Sequence, residues 1–541
     1  MNVGILLSKH NKIILILAIV LIALGVFFRF YDINKNDFVF YDEGMWLNLG
    51  NELLVRMDEA KTNSFTDFFA AVKLIFRISL STAKSFWAFL SLSRGLILSA
   101  DSYYFSRIIS AVCGSLTILL VFVFARKFYG SFFVALLSAV IIALYPSHIF
   151  YSRLALQESL STLLFLIAIH SYINGTKISY KTILSGVLLS LVYFSNYRMI
   201  VSPFFILFCE IYLSVSERRK INWLKAFCCI GVFAILVFFV SSLYGWANGK
   251  ITFAWMFHQN ELSEKGRSAM NIFSYPYYLF RLDGIFFGVL FISGLFPLFR
   301  RNLRQLMPFV FACAAMLLFS FPQEKGVRYI CFAMPFIAMS ISYTLERFIE
   351  DKYFKKQSFL IFTVLLLGVI AEGSFKGFNN TFYHNDYRQS VDLVKGRDPS
   401  AKIVSTQFMV QKLYVKNKKD IVEAPDSFEK LLSLYSAGYR YLIIDPQAFV
   451  SLSADKKRFS GKLVSYMDFA IGQVKPIYIF SHMSKGLFER FVLEHNESLP
   501  ISLQFLEKSK GGRNRYLYLY DIGSIMIKMY EISSGKSEKN T

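Results

Sequence analysis

Up to about residue 373 the chain alternates long apolar runs with short polar connections. Beyond it the apolar runs shorten sharply and are interleaved with charge. The runs of the first part approach the ~20 apolar residues that a helix needs to cross a bilayer. About eleven can be placed, over residues 11–30, 103–124, 131–149, 155–173, 181–199, 200–215, 224–244, 278–298, 306–321, 329–346 and 357–373. Between 181–199 and 200–215, Asn196-Tyr197-Arg198 and Pro203 predict a tight turn. In the second part, the apolar stretches at 402–405, 439–444, 476–480 and 516–520 predict strands, and 427–437 and 484–495 predict helices. The expected fold class is a polytopic α-helical membrane protein, with a membrane domain over 1–379 and a soluble α/β domain over 380–541. Within the first long connection, 31–102, Phe65, Phe68, Phe69, Val72 and Phe76 recur at near-helical spacing. They predict helices lying in the membrane interface.

Composition supports the membrane reading. Hydrophobic residues make up 55% of the 541 positions, and mean hydropathy is +0.44. Asn11 and Lys12 lead into the first apolar run with no small-residue cleavage site, so this run is expected to be retained. The formal net charge of +22 would suggest nucleic acid in a soluble chain, but no nucleic-acid motif accompanies it. The cations instead gather in alternate connections: Arg126-Lys127, Lys177 with Lys181, Arg218-Arg219-Lys220, Arg300-Arg301 with Arg304, and Arg347 with Lys352. The positive-inside rule then puts the N-terminus in the cytoplasm, and the loops 31–102 and 245–277 and the C-terminal domain outside it. All six cysteines lie in apolar runs, so no disulfide framework or paired-cysteine metal site is expected.

Candidate chemistry clusters in the connections on the outer side. Asp42-Glu43 follows the first span by about a dozen residues and is flanked by Phe38, Phe40, Tyr41 and Trp46. Aromatic neighbours at the interface exclude water, which raises a carboxylate toward the range useful for a base. Arg107 opens the second span. Arg153 and Glu158 stand around the start of the fourth, with Glu158 inside the apolar run, where a charge is costly unless paired or functional. Lys325, Arg328 and Tyr329 lie between the ninth and tenth spans, and the two cations suit phosphate oxygens. His258, in a long outer connection, is a weak metal candidate with Glu43. A transporter would more often place ionisable groups at the membrane midplane. A site at one rim suits a membrane-anchored donor and a surface acceptor.

In order and placement these motifs resemble the GT-C fold glycosyltransferases of the protein O-mannosyltransferase and aminoarabinose transferase superfamily, glycosyltransferase family 39 and its bacterial relatives. The matching segments are Tyr41-Asp42-Glu43, Arg107, Ala125-Arg126-Lys127-Phe128-Tyr129-Gly130, Pro146 through Glu158, and Arg328-Tyr329 with Pro335. They span roughly residues 11–372. The resemblance implies transfer of a sugar from a polyprenyl-phosphate carrier with inversion at the anomeric carbon. Asp42 would be the general base and Glu43 its partner, orienting the acceptor or a metal. Arg107, Arg153 and Arg328 would neutralise the departing lipid phosphate. A divalent cation is possible. The extra domain of eukaryotic protein mannosyltransferases is missing between the spans, and the C-terminal domain resembles the tails of bacterial relatives. A bacterial inner membrane is the expected location. Protein, lipid A, another glycolipid and a cell-wall polymer all stay open as acceptor. An O-antigen ligase or polymerase, a lipid or solute transporter, and an inactive scaffold are the competing readings.

Overall fold

The computed structural model describes residues 9–33, 43–44, 48, 103–175, 177–247, 271–295, 303–322, 325–350, 355–380, 386–445, 465–481, 485–494, 499, 503, 506–507 and 516–534. Asp42, His258 and the interfacial helices expected within 31–102 lie outside these residues. The chain divides into two compact units, one of residues 1–33 and 49–381, the other of 34–48 and 382–541.

The first unit is helical. In chain order it contains α1 (Lys9–Phe30), α2 (Tyr103–Tyr129), α3 (Phe132–Leu144), α4 (Pro146–Ser152), α5 (Glu158–Ile173) and α6 (Tyr180–Ser195). These are followed by α7 (Ser202–Ser216), α8 (Trp223–Ala247), α9 (Ile285–Ile292), α10 (Leu303–Phe319), α11 (Met334–Glu350) and α12 (Lys355–Asn379). Five helical segments are long and apolar enough to cross a membrane: 12–30, 105–129, 198–216, 223–243 and 327–347. A sixth is added if α3 and α4 are one bent span. Shorter apolar helices, α5, α6, α9 and α10, accompany them. At 1.5 Å per residue, helices of this shorter class fall below the ~30 Å of a hydrocarbon core unless their flanks extend them. Ile13, Ile16 and Leu17 on α1 and Leu224, Ile235 and Phe239 on α8 are exposed, an apolar exterior suited to lipid rather than water. The 327–347 segment is instead buried along nearly its whole length, whereas most of 12–30 is not. It forms the centre, where α11 packs on α3 and α10, while α2 packs on both α3 and α5.

Several apolar runs that read as continuous are broken. The run 131–149 bends by 60° between α3 and α4. Pro146 has no N–H to continue the helix, and it forces Tyr145 into an extended conformation (φ −65°, ψ 112°). The run 278–298 starts as a helical turn at Ser274–Tyr278, widens into a π-type turn at Leu279–Asp283 and restarts as α9 after Gly284. Gly284 has φ +141°, and a Cβ there would lie 2.1 Å from Glu372 Oε2. The Glu372 carboxylate accepts hydrogen bonds from the Ile285 and Phe286 backbone N–H groups, each at 2.9 Å, and so caps α9. Gly284→Ala is expected to lower stability by about 1–3 kcal/mol, read as the thermal midpoint of the detergent-purified protein. Adding Glu372→Ala should recover part of the loss if the clash is with that carboxylate. The turn expected near Asn196 is present as a 3₁₀ segment, Tyr197–Val201, with the Asn196 side chain accepting from the Arg198 N–H.

The second unit contains a five-stranded sheet in the order β2-β1-β3-β5-β4. Its elements are α13 (Tyr387–Arg397), β1 (Lys402–Ser405), α14 (Phe408–Gln411), β2 (Ile421–Glu423), α15 (Phe428–Ser436), β3 (Tyr439–Ile444), α16 (Ser465–Gln473), β4 (Tyr478–Phe480), α17 (Lys485–Glu494), β5 (Leu517–Asp521) and α18 (Ile522–Ser533). β1, β2 and β3 run parallel, with Val404 registered between Val422 and Leu442. β5 is antiparallel to β3 and to β4. Val404, Leu442, Ile444, Tyr518 and Tyr520 from the strands pack with Leu431, Tyr466 and Ile525 from the helices as one buried core. The strands expected at 402–405, 439–444, 476–480 and 516–520 occur there within two residues. β2, only three residues long, has no apolar run to announce it.

Candidate functional site

Candidate residues occur in both units. In the first, three buried arginines converge on the C-terminal end of α1. Arg29 donates to Gly25 O at 2.6 Å within its own helix, to Ala143 O at 2.8 Å and Ile142 O at 3.1 Å, and meets His148 Nδ1 at 2.7 Å. Ile142 and Ala143 lie in the last turn of α3 before the Pro146 break, so Arg29 supplies donors where the interrupted helix lacks its full set. Arg153, just after α4, donates to Phe28 O at 2.5 Å. Arg107, on the first turn of α2, donates to Ile33 O at 3.2 Å. Cations at a helix C-terminus are favoured by its partial negative charge. Asp283 accepts from the Ser147 N–H at 2.9 Å and ties α4 to the turn before α9.

Glu158 is buried in the first turn of α5, the end of a helix that favours an acid. Lys325 is fully buried and donates to Pro322 O at 2.9 Å. Arg328 and Tyr329 begin the 3₁₀ segment Val327–Ala333 that precedes α11. Two guanidiniums approach the Tyr329 ring, Arg198 at 3.8 Å and Arg328 at 5.6 Å from its centroid, both within reach of cation–π attraction. The elements holding these residues pack together: α2 against α4 and α5, and the 327–333 segment against α4, α5 and α10. The fold therefore brings the elements bearing Arg107, Arg153, Glu158 and Arg328 into one assembly.

In the second unit Glu43 is fully buried. Its neighbour Gly44 presses on α14, where a Cβ would lie 2.8 Å from Met409 O and from the Val410 backbone. Among the described residues no group of three metal-ligating side chains comes together.

Sequence reasoning missed the parts played by Arg29, His148 and Arg198. Arg29 falls within the first apolar run without being singled out, and Arg198 falls in the connection after Asn196. Nothing local distinguishes either from a membrane-surface anchor.

Solved structures similar to this chain identify its fold. ArnT from Cupriavidus metallidurans bound to undecaprenyl phosphate superposes with a TM-score of 0.54 at 14% identity, covering 80% of this chain and 94% of ArnT. The apo state of ArnT gives 0.55 at 13%, covering 82% and 95%. The chain has the GT-C fold. The apo oligosaccharyltransferase of Archaeoglobus fulgidus agrees, at 0.55 and 10% identity, covering 90% of this chain and 72% of that one. No protein-family model matches the sequence, and a search of curated proteins finds no match either. Identities this low establish the GT-C architecture alone.

Proposed function

We propose that this GT-C protein is a membrane glycosyltransferase that moves a sugar from a polyprenyl-phosphate carrier to an acceptor outside the cytoplasm. The observation that carries the reading is likeness over most of both chains to ArnT, one of whose structures holds undecaprenyl phosphate. A second A. fulgidus structure, of the oligosaccharyltransferase AglB with dolichol phosphate and an inhibitory peptide, has the same kind of lipid, at a TM-score of 0.50 and 11% identity. The acids and cations expected for such a reaction are present, and those described are buried away from bulk water, where fixed charge acts most strongly.

In the proposed mechanism Asp42 takes the proton of the acceptor hydroxyl as its oxygen attacks the anomeric carbon. Glu43 orients the acceptor. The bond from the anomeric carbon to the phosphate oxygen breaks on the opposite side, so configuration inverts. Negative charge grows on the departing polyprenyl phosphate, and Arg107, Arg153 and Arg328 stabilise it. Glu158, Lys325 and Tyr329 complete the donor's surroundings. The site faces the side of the membrane opposite the basic connections, and a bacterial inner membrane is the proposed setting.

Donor chemistry tests this directly. Proteoliposomes containing the protein should consume a polyprenyl-monophosphate sugar, release polyprenyl phosphate and yield a product of the opposite anomeric configuration. Consumption of only a polyprenyl-diphosphate sugar would instead favour a ligase. Movement of the intact donor across the bilayer without transfer would mark a transporter.

A further inference from the structure

The sheet unit contains residues from far earlier in the chain, 34–48, that carry the Asp42-Glu43 pair. Where they meet the sheet unit is specific. Asn48 Nδ2 donates both to Gly44 O at 2.8 Å and to Met409 O at 2.6 Å. The carboxamide thus links the Gly44 carbonyl, next to Glu43, to α14. Gly44 is the only side-chain-free residue between Asp42 and Asn48, and it sits where any Cβ would strike the Met409 and Val410 backbone. Glu43, between Asp42 and this contact, is fully buried.

The platform beneath is itself wired into the unit. α14 follows directly on the carboxyl end of β1. There the Gln407 N–H donates to Ser405 Oγ at 3.0 Å, and Ser405 Oγ donates to Gln411 Oε1. Gln411 Nε2 donates in turn to Ser390 Oγ on α13 at 2.7 Å. On the other side the Asp445 N–H, just past β3, donates to Thr406 Oγ1 at 2.8 Å. Ser390, Ser405, Thr406 and Gln411 are all buried. Buried hydrogen bonds that link Ser390, Ser405, Thr406 and Gln411 restrict the arrangements open to this seat. Hydrophobic packing alone would let a four-residue helix at a strand end shift by fractions of an ångström.

We infer that the sheet unit is the positioning scaffold of the acid pair. Gly44 and Asn48 are its positioning residues, and the turn at 405–411 is the rigid seat on which they dock. The inference rests on the proposed function and gives the C-terminal unit a part in the same reaction. It predicts that loosening the seat slows chemistry without weakening donor binding, because the seat acts on the base and the donor is held by the other unit's cations. Misplacement of a reacting group by about 1 Å costs on the order of 10²-fold.

The test uses the full-length protein in lipid nanodiscs with a polyprenyl-monophosphate sugar. Asn48→Ala should lower kcat by about 10²-fold and leave the donor KM within about twofold. Asn48→Gln, which keeps the two donor hydrogens, should recover most of the rate, and Asn48→Asp, which cannot donate, should not. Amide hydrogen exchange in β1 and β3 should match wild type in all three. Unchanged kcat in Asn48→Ala, with Asp42→Asn inactive, overturns the positioning role and leaves the proposed function standing. A fall in kcat matched by an equal rise in donor KM, or one that Asn48→Gln fails to recover, also overturns it. Full turnover in Asp42→Asn overturns the assignment of Asp42 as the base, and failure of the wild-type protein to transfer sugar from the polyprenyl-monophosphate donor overturns the proposed function itself.

Discussion

Asp42→Asn is expected to lower sugar transfer by about 10²–10⁴-fold, the range that a positioned general base contributes. The amide matches the carboxylate in size but cannot accept the acceptor's proton. The attacking oxygen would then carry its proton into the transition state. Asp42 belongs to the sheet unit, so membrane insertion and the elution profile in detergent are expected to be those of wild type. Donor binding should persist, because cations of the other unit supply it in the proposed mechanism. Glu43→Gln is expected to cause a smaller fall with a raised acceptor KM, in keeping with an orienting role. Turnover in Asp42→Asn above a tenth of wild type would show that another group is the base.

Glu210→Ala carries the largest expected cost to stability. Glu210 is buried on α7, and its carboxylate accepts from Tyr172 Oη at 2.9 Å, Ser214 Oγ at 3.2 Å, Arg219 Nη1 at 2.5 Å and the Asn222 N–H at 3.0 Å. Lys225 Nζ, also buried, lies 3.7 Å away and 3.8 Å from the centroid of the Tyr172 ring. One carboxylate thus ties α5, the α7–α8 turn and the start of α8 together. Removing it leaves the Lys225 charge without its counter-ion, at about 3–5 kcal/mol. The apparent thermal midpoint in detergent should fall steeply. Combining Glu210→Ala with Lys225→Met should recover a good part, since the stranded charge is then gone. A single variant that melts within a degree of wild type would mean that water reaches the cluster and solvates Lys225.

The parts of the fold legible in the sequence are those governed by near neighbours in the chain. Asn196 and Pro203 mark the turn between α6 and α7 because each acts on its own backbone. The apolar stretches of β1 and β3 announce themselves by composition. The break at Gly284 was not legible. Its apolar run is the same whether the helix continues or restarts, and the cap that makes restarting favourable comes from Glu372 on α12. Arg29 was hidden for a similar reason: two of its acceptors are the carbonyls of Ile142 and Ala143, beside a break at Pro146 that falls inside the single apolar run 131–149.

The candidate site divides along the same line. The types and order of its residues, from Tyr41-Asp42-Glu43 to Arg328-Tyr329, were present in the sequence and were enough to suggest a GT-C enzyme. That Arg107 and Arg153 grip the end of α1, and that Arg198 shares the Tyr329 ring with Arg328, required tertiary structure.

By itself the sequence determined that the chain is a helical membrane protein followed by strands and helices, because hydrophobic runs and their periods are local properties of the chain. Only the tertiary structure decided where the helices break, which buried charges they enclose, and that Gly44 and Asn48 dock on α14. The Asn48 and Met409 partners of one hydrogen bond stand 361 positions apart. No periodicity reports a partner at that distance, because such a bond forms only once two separately folded stretches have been packed against each other.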